Sequence, residues 1–420
     1  MTHYNFVIVG GGLAGLSLAC RLAETSAFDQ CSIMIVEQDA KTRNDRTFSF
    51  WSAGPGPFDA AISHSWSRLR VAGPHGMQDL DLGDYCYHTI RGLDFYRHAQ
   101  QHLAQHANVE LRRGCVQRID DEPDAATVIV DGETITAMWA FDSRPPHLVA
   151  EADDDRHTRL KLHFRGWEIE APTATFDPGI ATFMDFRTRH CGDVRFFYVL
   201  PFAPDRALVE YTLFTDQRLT RAETEHAIIA YVQSTLGIGD FRITAEEGGC
   251  LPITDAPFLR RLGHRVLAIG VKGGRIKPST GYAFSRVQAD SAAIVQSLLA
   301  HGHPFALPTS PTHYSWLDAV MLRVMRDQGE LIAPAFAVMF HRNPAARILR
   351  FLDEQATAAD TLRIMASLPA PLFIGTALEM AVGRTGGGKK NRLSCICNEL
   401  EMHFGRMKTR QPGLRTQRHE

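Results

Sequence analysis

Hydrophobic positions at the start of the chain change from a strand pattern to a helix pattern. Residues 4–9 form a short apolar run rich in β-branched side chains, and three glycines, 10–12, follow it. Apolar residues then recur at helical spacing up to residue 23. A second apolar run, 32–36, ends at Glu37. The pattern predicts a strand-helix-strand unit with parallel strands.

The next segments predict further strands and helices. Residues 93–107 contain few helix breakers, residues 109–111 read as a strand, and residues 127–139 alternate as a hairpin around Asp131 and Gly132. The middle third has four strand-like runs separated by Pro, Gly and Asp clusters, at 160–164, 182–186, 194–200 and 206–214. This spacing predicts an antiparallel sheet inserted into the first domain.

The last third is mostly helical. A strand at 266–270 and a loop rich in Gly and Pro precede helical periodicity from about residue 282 to residue 383. One helix start is well marked, because Asn343 is a good cap and Pro344 suits the first helical position. Apolar residues at 345, 348, 349 and 352 continue this helix as a stripe.

Composition excludes several classes of function. The 420 residues carry 45 Lys+Arg against 47 Asp+Glu, so the net charge of -2 gives no electrostatic case for a nucleic-acid partner. The eight cysteines form no C-x-x-C pair, which is typical of reduced thiols in the cytosol, and the histidines form no H-E-x-x-H motif. We therefore expect no metal. We also expect a cytoplasmic protein, because the amino terminus lacks a signal-peptide pattern.

The glycine turn carries a dinucleotide-binding fingerprint. Gly10, Gly12 and Gly15 follow the first strand and open the helix, and Glu37 lies about twenty residues further on, as expected for a ribose ligand. Glycines allow the backbone to approach a pyrophosphate, and the helix amino terminus offers free N–H groups to that anion. The acidic Glu37 favours FAD, although NAD would satisfy the same geometry.

A late segment distinguishes these two cofactors. The strand ending at Gly270 is followed by Pro278, Ser279, Thr280 and Gly281 and then by a helix. FAD proteins use such a second strand-loop-helix segment around the flavin, whereas a simple NAD dehydrogenase does not need it. We therefore expect bound FAD.

These observations predict an α/β fold. It consists of a Rossmann-like FAD-binding domain with an inserted antiparallel β-sheet substrate domain and a mostly helical C-terminal region. The expected parts are an FAD-binding domain at 1–150 and 256–300, a substrate domain at 151–255, a helical region at 301–383 and a tail at 384–420. The tail has nine Lys/Arg against three Asp/Glu, so we expect it to be basic and flexible.

Eight segments resemble the bacterial lycopene cyclases, and they occur in that family's order. They are RTFSFW (46–51), FDSRP (141–145), FMDF (183–186), RFFYVLPF (195–202), ALVEYTLF (207–214), GGCLPITD (248–255), IKPSTGYAFSR (276–286) and FHRNPAARILRFLDE (340–354). The resemblance covers about residues 3–383. It implies that linear lycopene is converted into cyclic carotenes with reduced FAD bound, without net electron transfer, and with NAD(P)H only as the reductant.

The resemblance implies that Glu210, in ALVEYTLF, handles the proton. The residues support this role independently, because a strand over 206–214 places Leu208, Glu210, Thr212 and Phe214 on one face. A carboxyl group between apolar neighbours is partly desolvated, which raises its pKa and allows it to hold a proton near neutral pH. Glu210 is thus the expected catalytic acid.

Aromatic residues are expected to line the substrate site. Protonation of a polyene gives a carbocation, which aromatic ring faces attract. The candidates for this lining are Phe196, Phe197, Tyr198 and Phe202, although strand alternation turns about half of them away. Asp185, in FMDF, is a second acidic candidate that could equally be a turn or edge residue.

Two other functions fit the same domains. An FAD-dependent monooxygenase or reductase acting on an isoprenoid would consume NADPH at each turnover. The strand that ends in Gly270 lacks the Asp typical of hydroxylases and has Val271 instead, which counts against that alternative. A membrane-associated flavin-binding protein without catalysis would be favoured if Glu210 faced solvent.

The expected substrate predicts contact with a membrane surface. The apolar stretch 364–378 is too short to span a bilayer and is broken by prolines, but linear carotenes are stored in bilayers. We expect peripheral association through the helical region after Tyr314. Ile348 and Leu349 could face either the core or the lipid, with Arg347 and Arg350 towards the headgroups.

Overall fold

The structure is a computed structural model that describes residues 2–73, 76–145, 157–217 and 219–381. The chain forms two compact units, Met1–Leu368 and Pro369–Glu420, and residues 369–381 are the described part of the second unit. The expected basic tail, 384–420, lies outside the described residues.

The strands and helices are numbered here in chain order. The strands are β1 (Thr2–Val9), β2 (Ile33–Glu37), β3 (Thr47–Ser52), β4 (His64–Trp66), β5 (Arg68–Gly73), β6 (Gly76–Asp81), β7 (Cys86–Arg91), β8 (Val109–Arg113), β9 (Val116–Asp121), β10 (Ala126–Val130), β11 (Glu133–Asp142), β12 (Arg159–Glu170), β13 (Ala181–Asp185), β14 (Val194–Ala203), β15 (Arg206–Thr215), β16 (Arg242–Thr254) and β17 (Val266–Ala268). The α-helices are α1 (Leu13–Ala23), α2 (Gly92–Leu103), α3 (Arg221–Ser234), α4 (Phe284–His301), α5 (Thr312–Asp327), α6 (Ile332–Arg342), α7 (Ala345–Leu352), α8 (Ala358–Ser367) and α9 (Ala370–Ala381).

The first sheet contains the predicted strand-helix-strand unit. Its order is β8-β2-β1-β11-β10-β9, and β17 also pairs with β11. β1 runs parallel to both β2 and β11, as the unit requires. The predicted hairpin is confirmed between β10 and β11, where Asp131 and Gly132 adopt φ of 50° and 84°. Both faces of β1 are buried, which explains its continuous apolar run.

The second sheet confirms the predicted antiparallel insertion and extends it. Its order is β16-β12-β15-β14-β13-β5-β6. β12 pairs antiparallel with β15 on one side and with β16 on the other. Two of its strands, β5 and β6, precede residue 150, so the first part of the chain also contributes to this sheet. A third small sheet, in the order β3-β7-β4, is formed by strands that precede and follow β5 and β6 in the sequence.

The two faces of β15 have different neighbours. Alternate residues, including Val209 and Tyr211, belong to a buried apolar cluster with Ile228 and Val232 of α3. The opposite face carries Glu210, in the pattern that the sequence predicts. α3 is well fixed at its start, because Thr220 and Glu223 form a reciprocal capping box. One face of the sheet is therefore covered by a helix, and the Glu210 face is left for other contacts.

The helical last third is confirmed, but one predicted cap is wrong. The helix α7 begins at Ala345 with Pro344 as its cap residue. The side chain of Asn343 instead donates to Met339 O and Ser367 Oγ, each at 2.9 Å, so its buried amide joins α6 to α8. Within the described residues no single helix is long and apolar enough to cross a bilayer, and only α8 and α9 taken together reach that threshold.

Candidate active site

The glycine turn has the shape that a bound pyrophosphate needs. Gly10 has a φ of 103°, and a Cβ there would collide with Ser143 Oγ, while a Cβ on Gly15 would collide with Gly10 O. A Cβ on Gly12 would meet nothing within 4 Å. α1 then begins at Leu13 without a side-chain cap. Two glycines thus allow close packing, and Gly12 keeps the front of the turn open beside free helix N–H groups.

Glu37 lies against this turn at the end of β2. Its Oε2 accepts a hydrogen bond from Gly11 N at 2.6 Å, and its Oε1 accepts one from Asp39 N at 2.8 Å. Two backbone donors therefore fix the carboxylate beside the glycines. In this type of fold the adenosine ribose lies at this position.

The late segment meets the first turn of α1. Gly270 has a φ of 61°, and a Cβ on it would lie 2.7 Å from Ala14 Cβ. Ile269 N also donates to Asp142 O at 3.0 Å, which fixes the end of β17 against β11. The two segments assigned to the cofactor are far apart in the sequence and adjacent in the fold.

The loop after Gly270 closes on itself and contacts the second sheet. Lys277 N donates to Tyr282 O at 2.9 Å, and Gly281 N donates to Lys277 O at 2.8 Å, which encloses residues 278–280 in a tight turn. Gly281 has a φ of 80°, and a Cβ there would collide with Leu162 of β12. This loop therefore lies between the cofactor segment and the sheet that carries Glu210.

Three buried tyrosines connect the loop to the Glu210 strand. The hydroxyl of Tyr282 lies 3.0 Å from that of Tyr87 and 3.2 Å from that of Tyr198. Tyr198 is the direct cross-strand neighbour of Glu210. Burial raises the pKa of Tyr87 to about 12 and raises the pKa values of Tyr198 and Tyr282 well above their usual range. The three phenols therefore remain neutral hydrogen-bonding groups.

Glu210 lies on the sheet face that the sequence predicts, in a largely buried position. Thr212 Oγ1 donates to its Oε1 at 3.3 Å. Burial, and after it the nearby carboxylate of Glu247, raises the pKa of Glu210 well above its usual range. The structure therefore places a carboxyl group with a raised pKa, which favours its protonated form, on the open face of β15.

Glu247, on β16, is the acidic neighbour that the sequence reading missed. It is 6% exposed, and its Oε2 accepts a hydrogen bond from Thr47 Oγ1 at 2.7 Å. Burial is the largest cause of its raised pKa. The motif GGCLPITD, one of the eight segments that resemble the family, begins one residue after Glu247 and therefore does not include it. A strand assignment over 242–254, with its alternation, was the signal that could have identified it.

An aromatic cluster surrounds Phe183 on this side of the sheet. Its ring centroid lies between 5.6 and 6.4 Å from those of five other rings, namely Trp51, Tyr87, Tyr198, Tyr282 and Phe340. Phe196, a predicted lining residue, joins the cluster through Tyr198 at 5.2 Å. Of the four predicted lining residues, Tyr198 and Phe196 thus lie in this cluster, and most of its other members come from segments that the sequence did not single out.

Two predicted residues lie on the other face of the sheet. Phe197 stacks on Tyr231 of α3 with a centroid distance of 3.9 Å. Asp185 accepts a hydrogen bond from Tyr231 Oη at 2.7 Å and pairs with Arg187 at 2.6 Å. The structure does not bring either residue to Glu210, because the strand alternation points them towards α3.

Phe202 reaches the aromatic cluster through Trp66, whose ring centroid lies 6.3 Å from that of Phe202 and 6.1 Å from that of Tyr87. The ring of Phe202 lies 5.2 Å from the guanidinium carbon of Arg91, which is bonded to Glu168 at 2.6 Å. A fixed cation of the protein therefore already occupies the face of this ring.

Comparison with known proteins identifies the family. The model of the family "Lycopene cyclase protein" matches residues 5–377. The lycopene beta-cyclase of Pantoea ananas is 24% identical over 403 residues, covering 90% of this chain and 97% of that protein.

Solved structures show the same fold. A flavoprotein/dehydrogenase from Cytophaga hutchinsonii matches with a TM-score of 0.63 and 13% identity, covering 91% of this chain and 99% of that chain. A triple mutant of the flavin-dependent brominase Bmp2 matches with a TM-score of 0.59 and 15% identity, covering 87% and 98%. The fold is thus shared with flavin-dependent enzymes of several kinds. Because the family model matches nearly the whole chain, the protein belongs to the lycopene cyclase family.

Proposed function

We propose that the protein is an FAD-dependent lycopene cyclase that converts the linear ends of lycopene into β-ionone rings. The observation that carries the proposal is the position of Glu210. Its half-buried carboxyl group, whose pKa burial raises well above the usual range, lies beside Tyr198 of the aromatic cluster, and Tyr198 contacts the cofactor loop through Tyr282. Membership of the lycopene cyclase family identifies the class of substrate.

The described residues fit FAD. Gly12 leaves space for the pyrophosphate in front of α1, and Glu37 is fixed where a ribose diol would lie. Gly270 and the 277–282 loop provide the second wall. When bound in its reduced form, FAD would supply negative charge that stabilises a cation nearby. NAD(P)H would serve only to keep the flavin reduced.

The residues of the chain then account for the proton chemistry. Glu210 gives its proton to the terminal double bond of lycopene, which creates a tertiary carbocation. The rings of Phe183, Tyr198 and Tyr282 exclude water and stabilise this charge while the ring closes. Loss of one proton from the new ring completes the reaction. One proton is gained and one is lost, so the product is an isomer of the substrate.

Anaerobic turnover tests this proposal. The FAD-loaded protein, chemically reduced, is incubated with lycopene in detergent micelles, and the pigment is identified by chromatography and mass spectrometry. We expect β-carotene of unchanged mass, and a solvent-derived deuterium in each ring when the buffer is heavy water. Stoichiometric NADPH oxidation or oxygen incorporation would instead indicate a monooxygenase or reductase.

Glu210→Gln tests the acid itself. The amide keeps the shape but has no acidic proton, so we expect a loss of at least the roughly 10²- to 10⁴-fold typical of general acid catalysis. Glu246→Gln is the matched control, because Glu246 lies on the surface and pairs with Arg221. Flavin binding should be equal in both variants. A near-normal rate in Glu210→Gln would remove Glu210 from the mechanism.

We also propose that the protein works in the cytoplasm at a membrane surface. Leu362 in α8 is 70% exposed, and Ile374 and Leu378 in α9 are 56% and 60% exposed. Ile348 and Leu349 are buried and therefore face the core, and Arg347 bonds to Asp360. Sedimentation with vesicles that contain anionic lipid and lycopene tests this proposal, with Leu362→Asp as the weakened variant. Equal binding by both proteins would contradict the assignment of α8.

A further inference from the structure

Glu210 and Glu247 converge above one glycine. In the register of the second sheet, Gly166 of β12 lies between Glu210 of β15 and Glu247 of β16. A Cβ on Gly166 would lie 3.1 Å from Glu247 Cγ and 3.4 Å from Glu210 Cβ. Because Gly166 has no side chain, the side chains of Glu210 and Glu247 can lie next to each other above it, on the face that bears the aromatic cluster.

The hydrogen bonds of Glu247 require a further donor. Its Oε2 accepts a hydrogen bond from the hydroxyl of Thr47. Its Oε1 is buried and has no hydrogen-bond donor among the described residues. The sheet register and the distances from Gly166 place the carboxyl group of Glu210 beside that of Glu247. Two carboxylate oxygens are both acceptors, so this contact is satisfied only when one of them carries a proton. Leaving a buried acceptor unpaired would cost the free energy of its desolvation.

The other described side chains near Glu210 and Glu247 do not supply this proton. Tyr87, Tyr198, Tyr282 and Thr212 are neutral, and Thr47 donates only to Glu247. From the loop before β3, the charges of Asp45 and Arg46 act on Glu247 in opposite directions. These two residues bond to each other at 2.8 Å, so their effects largely cancel.

We propose that Glu247 is the positioning residue that keeps Glu210 loaded with its proton: the two carboxyl groups share one proton, and Thr47 orients Glu247 to receive it. This inference rests on the proposed function for its role in cyclisation. When the pair is deprotonated, two buried negative charges face each other. This repulsion raises the pH at which the shared proton is lost.

Glu247→Gln is the direct test in the FAD-loaded enzyme. It removes the facing charge, so the pKa of Glu210 should fall, and the alkaline limb of the kcat/KM profile should move to lower pH. We expect a loss of about tenfold or more above the new limb, and recovery of most activity at acidic pH, since one pKa unit corresponds to a tenfold change in protonation. In Glu247→Asp, the alkaline limb of the kcat/KM profile should lie between those of the wild type and Glu247→Gln. Glu246→Gln, the same change at the adjacent surface position, should reproduce the wild-type profile.

Difference infrared spectroscopy tests the shared proton without turnover. A protonated carboxyl band that disappears in Glu210→Gln should titrate at lower pH in Glu247→Gln than in the wild type. An unchanged band and an unchanged alkaline limb would overturn the inference, and so would an equal loss of activity at every pH, which indicates a structural role alone. If the wild type forms no cyclic carotene, the proposed function fails, while the infrared titration still decides whether the pair shares a proton.

Discussion

Lys277 provides a sharp test of how the helical region is held to the cofactor loop. Lys277 is 3% exposed, and its ammonium group lies 3.1 Å from Asp318 Oδ2 of α5 and 3.1 Å from Glu354 Oε1. Lys277→Met keeps the length of the side chain but removes the charge. Removing one partner of a buried ion pair costs about 3–5 kcal/mol, because the remaining charge is left without compensation.

The structure also predicts which carboxylate bears that cost. Glu354 retains Arg286, whose Nη1 lies 2.7 Å from its Oε1, whereas Asp318 loses its buried cation. We therefore expect Asp318→Asn to restore a large part of the lost free energy of unfolding in the Lys277→Met background. Glu354→Gln should restore little, because it leaves Arg286 unpaired instead.

Urea unfolding of the FAD-loaded protein, followed by circular dichroism, measures these differences. The four proteins to compare are the wild type, Lys277→Met and the two double variants. Equal stability of Lys277→Met and wild type, or equal rescue by both second changes, would refute the assignment of the cost to Asp318.

Three further changes have defined outcomes. Gly12→Val should weaken FAD binding, measured by flavin fluorescence, because the side chain enters the open space before the turn; unchanged affinity would contradict the cofactor assignment. Asp353 accepts a hydrogen bond from Trp51, and burial raises its pKa from 3.8 to about 6. The folded protein therefore binds this proton more tightly than the unfolded chain, and stability should fall as pH rises from 3.8 to about 6; Asp353→Asn should remove that fall in urea titrations. Gly166→Ala places a Cβ 2.9 Å from Leu208 Cδ1, so we expect about 1–3 kcal/mol lower stability and an alkaline limb shifted in the same direction as in Glu247→Gln; a wild-type profile would show that the carboxyl groups tolerate separation.

Local patterns predicted those parts of the fold in which neighbours in sequence decide the structure. The alternation along β15 identified the face of Glu210, because the opposite face is apolar and packs on α3. The glycine turn and α1 were equally predictable from the sequence, because their geometry depends on a few adjacent residues. Prediction was reliable where a single strand or turn carried the information.

Long-range pairing was the part that local patterns did not contain. Phe197 and Tyr198 are adjacent and both aromatic, and only the register with β15 shows that Tyr198 shares the face of Glu210. Glu247 reaches Glu210 through the shared neighbour Gly166, on a strand distant in the sequence. Asn343 is a residue type that often caps helices, but in the structure its amide donates to Ser367 of α8. Tertiary contacts decided each of these positions.

The loop that joins Lys277 to Tyr282 has a thermodynamic consequence. It lies beside the segment assigned to the cofactor, touches Leu162 through Gly281, and reaches Tyr198 through Tyr282. A ligand that orders this loop changes the free energy of the loop for both neighbours. Under the proposed function, the binding of FAD and the binding of the carotene are therefore linked equilibria. Reciprocity then fixes a relation between two separate titrations. The factor by which FAD changes the dissociation constant of the carotene must equal the factor by which the carotene changes that of FAD.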